Sequence, residues 1–298
     1  MIKHYFILFI LLQTFKMNAQ NLPADLKSRF MNELKSLGNQ SEGILGLTVI
    51  DIKTGERYEF NQNEIFPQAS AIKVPILMEL HRQVEAGKLK IDQKVSISQE
   101  QVVGGSGIIK EFNHLPEFSI ADLAMMMIKY SDNTATNVLI DLVGKESINT
   151  MLKENGFDKT VLQRKMMDTQ ASQAGRENLS TPNEAAAIML TLYQGKFVNR
   201  SVSDSVLSVL SRTNRPRGSF ASFFEESVPV MFKPGEIPGV HTEWVLVDLA
   251  DRPFAVGIME KYGNPGSPTP VIFSKIAETV YNYFWKLANG SEYGAYFK

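Results

Sequence analysis

The chain has 298 residues, of which 44% are hydrophobic and 10% aromatic, enough apolar material for a substantial core. Its 31 basic residues against 32 acidic ones leave a net charge of -1, which excludes an overall electrostatic footprint for nucleic acid or an anionic membrane and favours a small-molecule or peptide partner. There is no cysteine, so disulfides, thiolate metal sites and a lipid-anchored cysteine are excluded; the four histidines form no ligand cluster of recognisable spacing, and no metal or organic cofactor is expected.

At the start, Lys3 and His4 precede an apolar run over residues 5–12, and Ala19 offers a small residue before a cut, so residues 1–19 read as a secretory leader. The run is too short to span a bilayer comfortably, and the expected product is a periplasmic or secreted monomer with no stable membrane insertion once the leader is removed. A helix follows over residues 23–37, then a strand over 43–51 that turns through Lys53, Thr54 and Gly55 into a second strand over 57–60. Between Ser70 and Tyr193 most segments have helical spacing, with Gly87, Gly144, Gly156 and Gly195 closing them. Beyond Phe220 the pattern changes to strands over 228–232, 244–249 and 254–259, whose short connections favour antiparallel pairing. A last helix over 270–288 places Ile272, Ile276, Val280, Tyr283 and Phe284 on one stripe suited to cover a sheet. The expected fold class is α/β (α+β): one antiparallel sheet built from both ends of the chain and flanked by helices, with an all-α block inserted. Residues 21–62 and 213–298 are assigned to the α/β sub-domain and residues 63–212 to the all-α sub-domain, together one catalytic domain.

Three segments carry chemistry. In the first, Ser70 and Lys73 lie three residues apart just before Pro75, and proline is tolerated in a helix only near its start. That places Ser70 at or just before a helix N-terminus, where its N–H lacks an intrahelical partner and Lys73 shares its face. A lysine amine held in a desolvated, positively charged pocket has its pKa lowered and can take a hydroxyl proton. A serine cap beside a solvated lysine has the same spacing. The second, Ser131-Asp132-Asn133, ends one helical run and begins another; it is good capping chemistry and also offers a hydroxyl and an amide. The third, Lys233-Pro234-Gly235-Glu236, lies on a strand, where proline is confined to an edge, an end or a bulge. An edge lining a cleft fits, and would present the Glu236 N–H as an oxyanion donor; a surface lysine before a turn is the bland alternative.

In this order the three segments resemble the serine β-lactamases of class A and the related penicillin-binding proteins, whose shared signature is Ser-x-x-Lys, Ser-Asp-Asn and Lys-Thr-Gly. The resemblance runs from about Gly43 to Met259, and Gly105-Ser106-Gly107-Ile108, Tyr130, Arg164 and Ser180-Thr181-Pro182 extend it to the cleft rim and the ends of the omega loop. It implies a β-lactamase/transpeptidase-like fold and a β-lactam or peptidoglycan-like substrate. The residues expected to act are Ser70, Lys73 and Ser131 as catalytic groups, with Asn133, Lys233, Gly235 and Glu236 binding substrate. Three functions follow: a β-lactam hydrolase working through a Ser70 acyl-enzyme, a peptidoglycan-directed peptidase or amidase, and a β-lactam-binding protein that stays acylated.

The chain also departs from that family. Two residues beyond the omega-loop arginine the family carries a water-activating glutamate, whereas here Arg164 is followed by Lys165, Met166 and Met167. Asp168 and Glu177 are the nearest carboxylates, and Asn178 falls where the family has the aspartate that pairs with the arginine. Pro234 replaces a threonine or serine whose hydroxyl helps bind the substrate carboxylate; His241 and Thr242 are candidates to compensate.

Overall fold

The computed structural model describes residues 24–265, 271–291 and 294–296, so the leader assigned to residues 1–19 lies outside the described residues. The chain opens with helix α1 (Ala24–Gly38) and the hairpin strands β1 (Ile44–Asp51) and β2 (Arg57–Phe60). A short strand β3 (Phe66–Pro67) leads through a 3-10 turn (Ala69–Ile72) into helix α2 (Lys73–Glu85). Then come strands β4 (Lys94–Val95) and β5 (Phe118–Ser119), and helices α3 (Ile120–Lys129), α4 (Asn133–Val143), α5 (Lys145–Glu154) and α6 (Thr169–Gln173). Strand β6 (Leu179–Ser180) precedes helices α7 (Pro182–Tyr193) and α8 (Arg200–Leu210). Strands β7 (Val230–Ile237), β8 (Val240–Val247) and β9 (Phe254–Lys261) and helix α9 (Val271–Asn289) complete the fold.

Five strands form one antiparallel sheet in the order β2-β1-β9-β8-β7, so the two ends of the chain meet where β1 pairs with β9 along its length. Strand alternation sorts the core into two layers. Leu45, Leu47 and Val49 of β1 join Val245, Val247, Phe254 and Val256 against Phe30, Leu34, Val280 and Phe284 of α1 and α9. Trp244, Leu246, Ala255 and Met259 face the opposite way, into the helical block. There α7 crosses the sheet so closely that a Cβ on Gly257 would lie 2.2 Å from the Pro182 carbonyl oxygen, which explains glycine in the middle of β9.

The bounds of two sheet strands need adjusting. The third sheet strand continues through Pro234 to Ile237 instead of stopping at residue 232, because β7 is the sheet edge and a proline there costs no ladder bond on its open side. Its partner correspondingly begins at Val240 and ends at Val247. At the other motif the expectation holds: α2 starts at Lys73, with Pro75 in its first turn, and Ser70 sits just before it in the 3-10 turn.

Candidate active site

Gln68 fixes the turn that carries Ser70. Its amide oxygen accepts from Trp244 Nε1 at 2.8 Å, its amide nitrogen donates to the Phe66 carbonyl at 2.8 Å, and its own carbonyl accepts from Thr242 Oγ1 at 3.1 Å. The backbone N–H of Gln68 donates to the Asn178 carbonyl at 2.7 Å, tying the turn to the 164–178 loop as well as to β8. Ala69 is held at φ +44°, a left-handed conformation costly for a residue with a Cβ, so the surrounding contacts impose the turn's shape. On the far side Gly235 lets β7 approach: a Cβ there would lie 2.3 Å from the Gln68 carbonyl oxygen and 2.7 Å from the Ala71 nitrogen. Nothing in the sequence pattern singles out Gln68, since its partners are remote in the chain.

Ser131 lies in the connection between α3 and α4 at φ +52°, and Asp132 caps α4 by accepting from the Ala135 N–H at 2.9 Å. The cap expected from sequence is therefore real, but Asp132 does more. Its second oxygen accepts from the N–H groups of Ile108 and Ile109 at 2.7 and 2.8 Å and so clamps the 105–108 loop to the helix start. Asn133 completes the clamp, donating through Nδ2 to the Gly104 carbonyl at 3.1 Å.

These supports bring the motif side chains together. Lys73 Nζ is fully buried and reaches the Ser131 carbonyl at 2.7 Å, Ser131 Oγ at 3.0 Å and Asn133 Oδ1 at 3.0 Å. Lys233 Nζ approaches the same Ser131 hydroxyl at 3.2 Å while donating to the Pro234 carbonyl at 2.9 Å. Ser131 Oγ thus lies between two amines. Ser70 Oγ forms no hydrogen bond among the described residues, and the Lys73 amine is held on Ser131 and Asn133 instead.

Burial pushes the Lys73 amine well below the ordinary lysine range, and the nearby Lys233 charge pushes it further, with Asp132 opposing weakly. Lys233 is itself drawn down to about 7 by burial, against the pull of Glu243. Glu243 is drawn up to about 8, again by burial. Neutral Lys73 can donate to two of its three neighbours and accept the Ser131 hydroxyl proton on its lone pair, an arrangement suited to proton relay.

Ser70 opens onto two cavities. One, of about 170 Å³, is lined by Ser131, Lys233, Gly235, Glu236 and Glu243; the other, of about 400 Å³, by Asn133, Arg164, Met166, Asp168 and Glu236. All seven residues expected to act therefore fall in one region, with Lys73 behind Ser131 and Asn133. His241 and Thr242 line the smaller cavity too, although the Thr242 hydroxyl is engaged with Gln68.

The 164–178 loop solves its own closure in a different way from the family pattern. Glu177, one position before Asn178, accepts from Arg164 Nε at 3.1 Å and from its terminal nitrogen at 2.8 Å, and also accepts from the Ser172 hydroxyl. Asn178 instead staples the loop through backbone, accepting from the Gln163 and Arg164 N–H groups at 2.8 and 3.0 Å. Asp168 caps α6 and accepts from the Ala171 N–H at 2.9 Å while lining the larger cavity. Met166, two residues beyond Arg164, lines the wall of the larger cavity. Among the described residues no group of three or more histidine or acidic side chains is arranged to hold a metal, and no helix is long and apolar enough to cross a membrane.

The profile of the family described as "Beta-lactamase enzyme family" matches residues 29–284, almost the whole described chain. The chain belongs to the β-lactamase enzyme family. Among curated relatives, the β-lactamase SME-1 of Serratia marcescens is 25% identical over 189 residues, which span 62% of this chain and 64% of that one. A crystal structure of a β-lactamase from Sphaerobacter thermophilus superposes with a TM-score of 0.79 at 22% identity, covering 88% of this chain and 98% of the other. PBP-A superposes equally well, TM-score 0.79 at 22% identity, covering 87% of this chain and 97% of the other, and a variant of it is solved as an acyl-enzyme complex with penicillin G. At these identities the structural matches establish the β-lactamase fold. Ser70, Lys73, Ser131 and Lys233 occupy the cleft of a β-lactamase-family protein, between the sheet edge and the helical block.

Proposed function

We propose that this chain opens β-lactam rings by transferring the ring acyl group to Ser70. The observation that carries the reading is the Ser131 hydroxyl suspended between the amines of Lys73 at 3.0 Å and Lys233 at 3.2 Å, in a cavity it shares with Ser70. Ser70 Oγ attacks the carbonyl carbon, and its proton passes to neutral Lys73 after a short movement of the amine or through Ser131. The new oxyanion is received by the N–H groups of Ser70 and Glu236. When the C–N bond breaks, Ser131 gives its proton to the ring nitrogen and recovers one from Lys73, so the proton lost by Ser70 ends on the leaving nitrogen. Lys233, when charged, stabilises the developing negative charge, and Asn133 holds Lys73 through its Oδ1.

Release of the acyl group is a separate matter, and a specific feature favours a long-lived acyl-enzyme. Glu177 is committed to Arg164, Asp168 is committed to the α6 cap, and the cavity wall between them carries Met166, a side chain with no basic atom. Incubation of the mature protein with a chromogenic cephalosporin, followed by both colour and intact mass, separates the outcomes. Sustained colour means a turning-over β-lactamase; one equivalent of colour with a persisting mass increase means an acylated binding protein. No adduct and no colour would overturn the β-lactam reading and leave a peptidoglycan-directed amidase. We further propose that the chain is exported, on the pattern of Lys3, His4 and the apolar run after them. N-terminal sequencing of protein recovered from outside the cytoplasm tests this; an intact Met1 on the recovered protein would contradict it.

A further inference from the structure

The 164–178 loop carries two consecutive methionines, and the fold treats them oppositely. Met166 is buried, and Asn137 pins it on both sides: Oδ1 accepts from the Met166 N–H at 2.8 Å and Nδ2 donates to the Met166 carbonyl at 3.1 Å. Two residues on, Asp168 is fixed by its cap on α6. Between these anchors Met167 is held at φ +63°, a left-handed conformation costly for a residue with a Cβ, and its side chain is 47% exposed. Glycine or asparagine would fill that corner at lower cost. Strain of this kind persists where the surroundings impose it, and it collects at sites that handle ligands.

The Met167 side chain reaches across the cleft. It lines the larger cavity beside Ser70, and its sulfur lies against Gly105 on the facing rim: a Cβ on Gly105 would come 2.9 Å from Met167 Sδ and 2.6 Å from Asn133 Nδ2. Gly105 is itself at φ +77°, in the loop that Asp132 and Asn133 clamp, so this point of the rim presents backbone and no side chain. The thioether is the apolar cover there. Met166, Ile237 and Pro238 continue the apolar lining from the loop to the end of β7. The charged groups of the same cavity are engaged or at its edge: Arg164 with Glu177, Asp168 on the α6 cap, and Glu236 exposed at the rim. A methionine side chain is flexible and polarizable, fits itself to irregular apolar shapes and makes favourable contacts with aromatic rings.

We infer that Met167 is a specificity-determining residue, whose thioether closes the larger cavity over the acyl side chain of the substrate and selects aromatic side chains over small ones. The inference rests on the reading of Ser70 as the acylated residue, and the test keeps the two apart. Two penicillins that differ only in the side chain, one phenylacetyl and one acetyl, are reacted with the full mature protein, and second-order acylation rates are read by quenched intact-mass measurement. The phenylacetyl compound is expected to react at least about tenfold faster. In Met167→Ala that preference is expected to shrink by about threefold or more, through slower reaction of the phenylacetyl compound. Because Met167 is exposed, the substitution leaves the core intact. Met167→Leu, apolar and of similar bulk, is expected to keep most of the preference. Equal rates in the wild type, or a preference unchanged in Met167→Ala, would overturn the inference while leaving Ser70 acylation intact. A preference that grows in Met167→Ala would overturn it as well, since the thioether would then be an obstacle, and so would a loss in Met167→Leu as complete as in Met167→Ala. Absence of an adduct with either compound would overturn the acylation reading and the inference together.

Discussion

Lys73 is the residue on which acylation depends, and its three contacts explain why. The buried amine touches two carbonyl-type oxygens and one hydroxyl, and its pKa is driven down by burial first and by Lys233 second. A base must be neutral to act, so acylation rises with pH as Lys73 loses its proton, well below the ordinary lysine range. Lys233 works as a charge and must be protonated, so the rate falls again as pH passes about 7. A bell-shaped profile of acylation rate against pH is therefore expected; a rate climbing steadily to strongly alkaline pH would contradict it. Lys73→Arg keeps the charge but gives up the base, since arginine does not deprotonate in proteins, and acylation should fall by about 100-fold to 10,000-fold. Gln68 acts through geometry instead. Gln68→Leu leaves the indole N–H of Trp244 buried without an acceptor and should lower unfolding free energy by about 1–3 kcal/mol in urea titration, with acylation slowed as well. Unchanged stability would mean that the turn is held by its other contacts alone.

At the scale of elements, the loop over residues 164–178 decides how long an acyl group stays. Its closure by Arg164 and Glu177, and by Asn178 through backbone, is independent of any catalytic carboxylate, so a base can be added without removing a support. Met166→Glu puts a carboxylate on the wall of the larger cavity, and release of the adduct should accelerate by about tenfold or more. Because Met166 is 7% exposed, the same change should lower the melting temperature. Release at the wild-type rate from a folded variant would show that this wall does not limit hydrolysis.

The elements also show what a sequence can carry. Local signals were enough for the hairpin, the Pro75 helix start, the Asp132 cap and the α9 stripe, because propensity, capping and periodicity act within a few residues. Pro234 marked β7 as an edge strand and the sheet order bears this out, but how far the strand runs past the proline depends on its pairing with β8, a property of the assembled sheet. Gln68 and Glu243 escaped for the same reason: Gln68 matters through Trp244 and Asn178, and Glu243 through a cavity formed only when β7, β8 and the 216–220 segment meet. The carboxylate that pairs with Arg164 is Glu177, one residue before Asn178, the position where the family has its aspartate, since a loop can turn a neighbouring side chain inward at little cost.

For the whole molecule, the site exists because a sheet and a helical block close on each other. Ser70 and Lys73 come from the entrance to α2, Ser131 and Asn133 from the start of α4, and Lys233 from the sheet edge, and α7 holds the layers together through close glycine contacts on β1 and β9. Residues distant in sequence thus meet at one hydroxyl, Ser131 with Lys233 being 102 positions apart. The central claim is that this assembly makes Ser70 the acceptor of an acyl group. Mass mapping of the mature protein after reaction with a β-lactam tests it most directly: the account predicts one adduct per chain, of the mass of the intact β-lactam or of that mass less any leaving group, on the peptide containing Ser70, and no adduct in Ser70→Ala. An adduct on another residue, or one that survives Ser70→Ala, would contradict it.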